Sequence, residues 1–235
     1  MDDLFDRLAG TKFLSRIDLK SGYYQIRIAD ADIEKIACRM RYDSFEFVVM
    51  PFGLCNTPSM FMTLMNAIFR EEVDQFVIIS IDNILIYSRT WRKHLEHIKM
   101  VLEKLRANKL YANEGKSEFG LTQINFLGHI VNTEGISPDM QKVGAIVKWE
   151  PPMMIEGVRS FIGLAQWYCK YIKGFSRIVK PLIDWTAKGT KICWTQEAKD
   201  AFEKIKQVLA SEPVLKLPEF DKPFEVHADS SGYVI

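Results

Sequence analysis

Four cysteines among 235 residues (Cys38, Cys55, Cys169 and Cys193) leave the chain without a CxxC pair, as expected of free thiols in a reducing compartment. Long apolar runs are missing too. The longest, such as "FVIISI", fall far short of the roughly 20 residues a bilayer-spanning helix needs. The first residues, "MDDLFDRLAG", are acidic and lack the basic and apolar parts of a signal peptide. An intracellular protein of cytoplasm or nucleus, with no membrane partner, is therefore the expectation. Neither sign of charge dominates: 31 Lys and Arg stand against 30 Asp and Glu, for a net charge of +1. Composition alone thus gives no warrant for nucleic-acid binding, and any such argument must come from local patches. With 48% hydrophobic and 26% charged residues, and no internal repeat or low-complexity tract, the chain reads as globular.

What is present is a mixture of strand-like and helix-like stretches without strict βαβ alternation, which points to an α+β fold. "KFLSRIDLKSGYYQIRI" places strand-like runs on either side of "KSGY", and "DSFEFVVMPFGLCNTP" is a strand entering a loop. Pro58 then opens a helical pattern with apolar residues at Phe61, Leu64, Met65, Ile68 and Phe69. "WRKHLEHIKMVLEKLRANKL" is an amphipathic helix, apolar at Leu95, Ile98, Val101, Leu102 and Leu105. "INFLGHIV" reads as a short strand broken by Gly128 and "TEGISPDMQKVGAIVKW" as a turn leading into another helix. "VRSFIGLAQWYCKYIKGF" reads as one long helix, "QEAKDAFEKIKQVLAS" as another, and "KPFEVHADSSGYVI" as a last strand.

In "QFVIISIDNILIYS" two β-branched runs close around Asp82 and Asn83, the expected turn of a tight hairpin. On the hairpin alone both residues are turn formers. Paired with Asp18, at the end of the strand in "FLSRID", Asp82 gains a second meaning. Two carboxylates on neighbouring strands could share divalent cations, as phosphoryl transfer requires. Between Lys148 and Lys191 stand eight Lys or Arg against three acids, interleaved with Trp167, Tyr168, Tyr171 and Phe175. This is either a solvated helix face beside a buried aromatic face or a helix that tracks a phosphate backbone. His94 and His97, at i and i+3, have no third ligand in view and read as helix-surface residues. His129 and His227 have no partner pattern, and the cysteines read as small buried hydrophobes.

Taken together, "FLSRIDLKSGYYQIRI", "FEFVVMPFGLCNTPSMFMTLMN", "IDNILIYS", "INFLGHIV", "EGISPD", "RSFIGLAQWYCKYIKGFS" and "LPEFDKPFEVHADSS" closely resemble the pol polyprotein of gypsy-type LTR retrotransposons. Order and spacing match the reverse transcriptase of that family. The resemblance implies a right-hand polymerase: palm with partial fingers over residues 1–133, a helical thumb over 134–180, and a connection leading into a ribonuclease H domain over 181–235. It also implies Mg²⁺ (or Mn²⁺), dNTPs and an RNA/DNA primer–template. By position, Asp18 resembles the first catalytic carboxylate and metal ligand, and Asp82 the first Asp of the family's Tyr-x-Asp-Asp hairpin. Tyr23 resembles the aromatic gate under the incoming sugar, and Phe52 and Gly53 the loop beside the nucleotide. Phe126, Leu127, Gly128 and His129 resemble the primer grip, with Gly128 letting backbone approach the strand. Lys170, Lys173 and Arg177 fall where the thumb tracks the duplex backbone, and Asp229 resembles the first ribonuclease H carboxylate.

The departures set a further expectation. Here the hairpin reads "SIDN", with Ser80 in place of Tyr and Asn83 in place of the second Asp. Asn83 keeps an oxygen for a metal but adds no charge. Losing one pre-organised charge partner costs about 3 kcal/mol, on the order of 10²-fold in rate. The family's fingertip strands and the rest of its nuclease are expected to be missing, so the chain reads as a truncated segment with impaired polymerase activity. The alternative is a non-catalytic nucleic-acid-binding remnant.

Overall fold

The computed structural model describes residues 5–81, 83–187, 192, 194–211, 213–217 and 223. The strands are β1 (Phe13–Asp18), β2 (Cys38–Arg39), β3 (Ser44–Phe45), β4 (Val77–Ser80), β5 (Asn83–Ser88), β6 (Glu118–Leu121), β7 (Gln123–Phe126), β8 (His129–Asn132) and β9 (Gly135–Pro138). The helices are α1 (Thr57–Ile68), α2 (Trp91–Ala107), α3 (Met140–Val147), α4 (Ile155–Trp167), α5 (Phe175–Ile183) and α6 (Gln196–Ala210). As the mixed pattern implied, the fold is α+β.

The central sheet runs β4-β5-β1-β6 and its ladders are antiparallel. Strand side chains alternate between faces, and here both faces are covered. Ile17, Val77, Ile79, Ile84 and Ile86 pack with Phe61 and Met65 of α1 and with Val101 and Leu105 of α2. Leu14, Ile78, Leu85 and Tyr87 point the other way, into a second core with the β7-β8-β9 sheet and α3 to α6. This explains why "ILIY" of β5 is apolar throughout: a strand buried on both faces shows no alternation. α1 is tied to α2 by Glu72, just beyond the end of α1, whose 3% exposed carboxylate meets Lys104 Nζ at 2.7 Å. Asp139 caps α3 by accepting from the Gln141 N–H, and Thr195 caps α6 by accepting from Ala198.

Several local expectations are corrected. Asn83 is not in the hairpin turn but pairs with Ser80 as the first residue of β5, so the turn lies one residue earlier and includes Ile81. "INFLGHIV" is a hairpin, not one broken strand: Leu127 and Gly128 form the two-residue link between β7 and β8, at φ 52° and 80°. Positive φ at both positions suits the twist of flanking strands. "EGISPD" is strand β9 rather than turn, and Leu215 pairs with its Ile136. The long helix ends at Trp167. A short 3₁₀ turn, Cys169–Tyr171, and Gly174 at φ 72° separate it from α5. "YYQIRI" is a 3₁₀ turn (Gly22–Gln25) followed by extended chain bridged only at Arg27–Val49. On α2, Leu95 and Leu102 are exposed and His94 takes their place inside, so the buried face is rotated from the apolar stripe. Cys55 is exposed, not buried, while Cys38 and Cys169 are intermediate. The last expected strand, with His227, and Cys193 lie outside the described residues. No described helix is long and apolar enough to cross a membrane.

Candidate functional site

Asp18 closes β1 and lies directly opposite Asn83, the first residue of β5. Cross-strand partners share a face, so the carboxylate, the amide and Ser80 all point toward the side that carries β7 to β9 and the C-terminal helices. The backbone of Asp18 is held on its far side: its N–H donates to Ser117 Oγ at 3.2 Å and its C=O accepts from the Asn113 N–H at 2.7 Å. Two residues back on the same face, Arg16 donates to the Asn125 carbonyl at 2.8 Å and pairs with Glu118 at 3.0 Å. Asp82 lies outside the described residues. Beside it Ile81, 47% exposed, adopts φ 52°, an unusual conformation for a β-branched residue.

Tyr23 sits on the 3₁₀ turn after β1, entered through Ser21 at φ 50°. Its ring is 9% exposed and meets Phe52 at 4.8 Å and Phe61 of α1, edge-on, at 5.4 Å. Phe52 is 62% exposed, so the pair runs from core to surface. Gly53 follows at φ 102° with open space where a Cβ would lie. Glycine is required there by the backbone angle, not by crowding.

The Phe126–His129 turn is less open than a bare glycine suggests. Gly128 is buried, and a Cβ on it would meet Lys142 Cδ at 3.3 Å and Tyr168 Oη at 3.5 Å. The Gly128 carbonyl accepts from Asp139 N–H at 3.1 Å and from the Tyr168 hydroxyl at 3.4 Å. His129 is 1% exposed, with Nδ1 2.8 Å from Tyr171 Oη and the rings of Phe5 and Trp167 packed around it. Burial, and then the nearby Asp139, raise the pKa of Tyr168 and keep its hydroxyl protonated. His129 therefore has partners after all. Tyr168, Tyr171 and Lys142 were missed as contributors to this turn. The only sequence signal was the i, i+3 spacing of the tyrosines, which here marks an inward face.

The three cations Lys170, Lys173 and Arg177 divide. Lys173 and Arg177 are exposed, whereas Lys170 Nζ lies 3.9 Å above the Phe5 ring. The histidine pair on α2 is not a surface feature. His94, fully buried, has Nε2 2.8 Å from Ser15 Oγ and Nδ1 2.9 Å from Ser88 Oγ, and Ser88 Oγ lies 2.8 Å from His97 Nδ1. Burial, with His97 nearby, lowers the His94 pKa to about 4. The network fastens α2 to β1 and β5 on the face opposite Asp18.

Chemically, the end of β1–β5 offers hard oxygen donors, one carboxylate and one amide, on a rigid sheet. Such donors fit Mg²⁺ or Mn²⁺ rather than a softer metal. Among the described residues no cluster of three or more His, Cys, Asp or Glu could hold a metal alone.

This fold is shared with solved viral protease-reverse transcriptases. The foamy viral protease-reverse transcriptase in complex with ds DNA superimposes with a TM-score of 0.84 at 22% identity, covering 92% of this chain and 38% of that one. The same viral protein with RNA/DNA hybrid gives a TM-score of 0.78 at 22% identity, covering 92% and 29%. The family described as reverse transcriptase (RNA-dependent DNA polymerase) matches residues 2–131, and an RNase H-like domain found in reverse transcriptase matches 194–235. The chain belongs to the reverse transcriptase family. Its curated relatives include polyproteins of transposons. The Pol polyprotein from transposon 297 of Drosophila melanogaster is 36% identical across 100% of this chain, and the Tf2-7 polyprotein of Schizosaccharomyces pombe 32% identical, also across 100%. The chain spans only 22% and 18% of their lengths.

Proposed function

We propose that this chain is the templating and primer-holding body of a retrotransposon reverse transcriptase, which extends a DNA primer on RNA or DNA with dNTPs. In this reading residues 1–133 are palm with partial fingers, 134–180 thumb, and 181–235 the connection toward ribonuclease H, with Asp229 its first carboxylate. Asp18, Asp82 and the Asn83 amide oxygen would hold Mg²⁺ or Mn²⁺. Held there, the ion would supply acidification of the primer 3′-hydroxyl and would offset phosphate charge. Asp18 fixes the attacking end of the primer against the sheet. Tyr23, braced by Phe61, is the floor under the nucleotide sugar, and Phe52 with Gly53 borders the base. The Phe126–His129 turn meets the primer strand, while Lys173 and Arg177 neutralise duplex phosphates.

The observation that carries this reading is the Asp18–Asn83 pairing on one face of the sheet. The same pairing favours a second reading, duplex binding without catalysis, because the family's third acid is an amide here. Primer extension on a primed RNA template, in Mg²⁺ and then Mn²⁺, separates the two. Weak extension that needs divalent cation is expected; tight duplex binding with no extension in either metal supports the second reading. Absence of both binding and extension overturns both.

A further inference from the structure

The β7–β8 turn and the segment after α4 are joined by two tyrosine hydroxyls that no catalytic or binding role accounts for. Tyr171 Oη is 2.8 Å from His129 Nδ1, and Tyr168 donates to the Gly128 carbonyl. Both tyrosines and His129 are buried, at 6%, 1% and 1% exposure. The turn they hold needs holding: its two linking residues are at positive φ, one of them Leu127, which carries a branched side chain. Trp167, 44% exposed, stacks parallel to the His129 ring at 6.2 Å and brings the same contact to the surface. Lys170, three residues on, covers Phe5, whose ring meets His129 edge-on at 5.1 Å.

We propose that Tyr168 and Tyr171 are positioning residues that lock the Leu127–Gly128 turn onto the thumb segment, so that the turn presents a fixed edge to the 3′ end of a primer strand. This rests on the reading that the turn meets the primer. The physical ground is pre-organisation: a two-residue turn in a sparsely populated conformation persists only when its surroundings over-determine it. Two hydroxyls reaching adjacent residues of the turn supply that constraint. They do so without touching nucleic acid, which distinguishes them from Lys173 and Arg177.

The test uses the whole chain and two probes, a DNA primer recessed on an RNA template with 2-aminopurine at its 3′ end, and a continuous duplex of equal length. Wild type is expected to prefer the recessed end. Tyr171→Phe, which removes one hydroxyl, should lose most of that preference, roughly five- to tenfold in affinity for the recessed probe. Its binding to the continuous duplex and its salt dependence should be unchanged. Amide exchange at Gly128 and His129, read without nucleic acid, should quicken in the same variant. Should Tyr171→Phe not fold, Tyr168→Phe, which gives up only a long 3.4 Å bond, carries the same expectation at smaller size. A folded variant that keeps both the end preference and slow exchange overturns the proposal and leaves the reading of the site standing. A wild-type chain that binds duplex but ignores the recessed end overturns the primer-turn reading and this proposal with it.

Discussion

Asp18 and Asn83 are direct partners across the β1–β5 ladder, so a carboxylate and an amide occupy neighbouring positions on one face of the sheet. Side chains so placed lie roughly 5 Å apart at Cβ. Asn83→Asp would set two carboxylates opposite each other, which repel without a cation and share one when it is present. Without divalent metal the variant should lose about 0.2–1 kcal/mol of stability. Adding Mg²⁺ should raise its melting temperature more than that of wild type, and primer extension should increase on the order of 10²-fold. An identical Mg²⁺ response in the two proteins would show that position 83 does not face the cation.

Lys170, Lys173 and Arg177 share a basic stretch, but their surroundings predict different phenotypes. Lys173→Ala combined with Arg177→Ala should weaken duplex binding and reduce the slope of log K against log salt by about 2, since each contact contributes about 0.9. Lys170→Ala should instead cost stability, by about 0.5–2 kcal/mol, because its ammonium lies over Phe5. Fluorescence anisotropy across a salt series, with urea unfolding of the same variants, checks both halves. A full unit change of slope from Lys170→Ala would place that ammonium on the phosphates.

The buried His94 predicts a pH dependence whose sign is fixed by its pKa. Folding lowers that value from about 6.5 to about 4, so below pH 6.5 the unfolded chain takes up a proton that the folded chain refuses. The stability from this group is fully present above pH 7 and falls as pH drops from 6.5 toward 4, by at most about 1.4 kcal/mol per unit. His97, shifted the same way by burial, adds to the trend. Urea unfolding at pH 7.5, 6.5 and 5.5 reads the slope, and His94→Gln should flatten most of it. A wild-type profile flat over that range would mean the imidazole is solvated.

What the sequence revealed followed from local rules. Asp18 at a strand end, the apolar hairpin and the helix opened by Pro58 are each readable from spacing, and the family motifs ordered them. The misreadings fell where tertiary packing overrides local pattern. His94 enters the core because Ser15 and Ser88 satisfy both its ring nitrogens, and a polar residue's partners cannot be seen in a helical stripe. "FLGH" hides a hairpin because its first turn residue is Leu, not the Asn or Asp that signals such a turn. The helix in "VRSFIGLAQWYCKYIKGF" ends at Trp167 and a 3₁₀ turn follows at Cys169–Tyr171, yet neither Gly nor Pro stands at that break to signal it. The division of the basic residues depended on Phe5, more than 160 positions away, which no window could associate with Lys170.

Ile81 offers a test of how this hairpin is held. A β-branched residue at φ 52° brings its Cβ close to the following carbonyl, at a cost of roughly 1–2 kcal/mol. Asn tolerates that conformation far better and, unlike Gly, adds little freedom to the unfolded chain. The side chain is 47% exposed, so Ile81→Asn surrenders only part of its apolar burial. Relief of strain should then exceed the lost burial, and the variant should be more stable by up to about 1 kcal/mol, a rise of roughly 2–4 °C in melting temperature for a chain of this size. The register of β4 and β5 should not change, because the Ser80–Asn83 pair and the ladder beyond it set it. If Ile81→Asn instead lowers the melting temperature, the turn is not strained in solution, and the Asp18–Asn83 pairing must be maintained by the sheet alone.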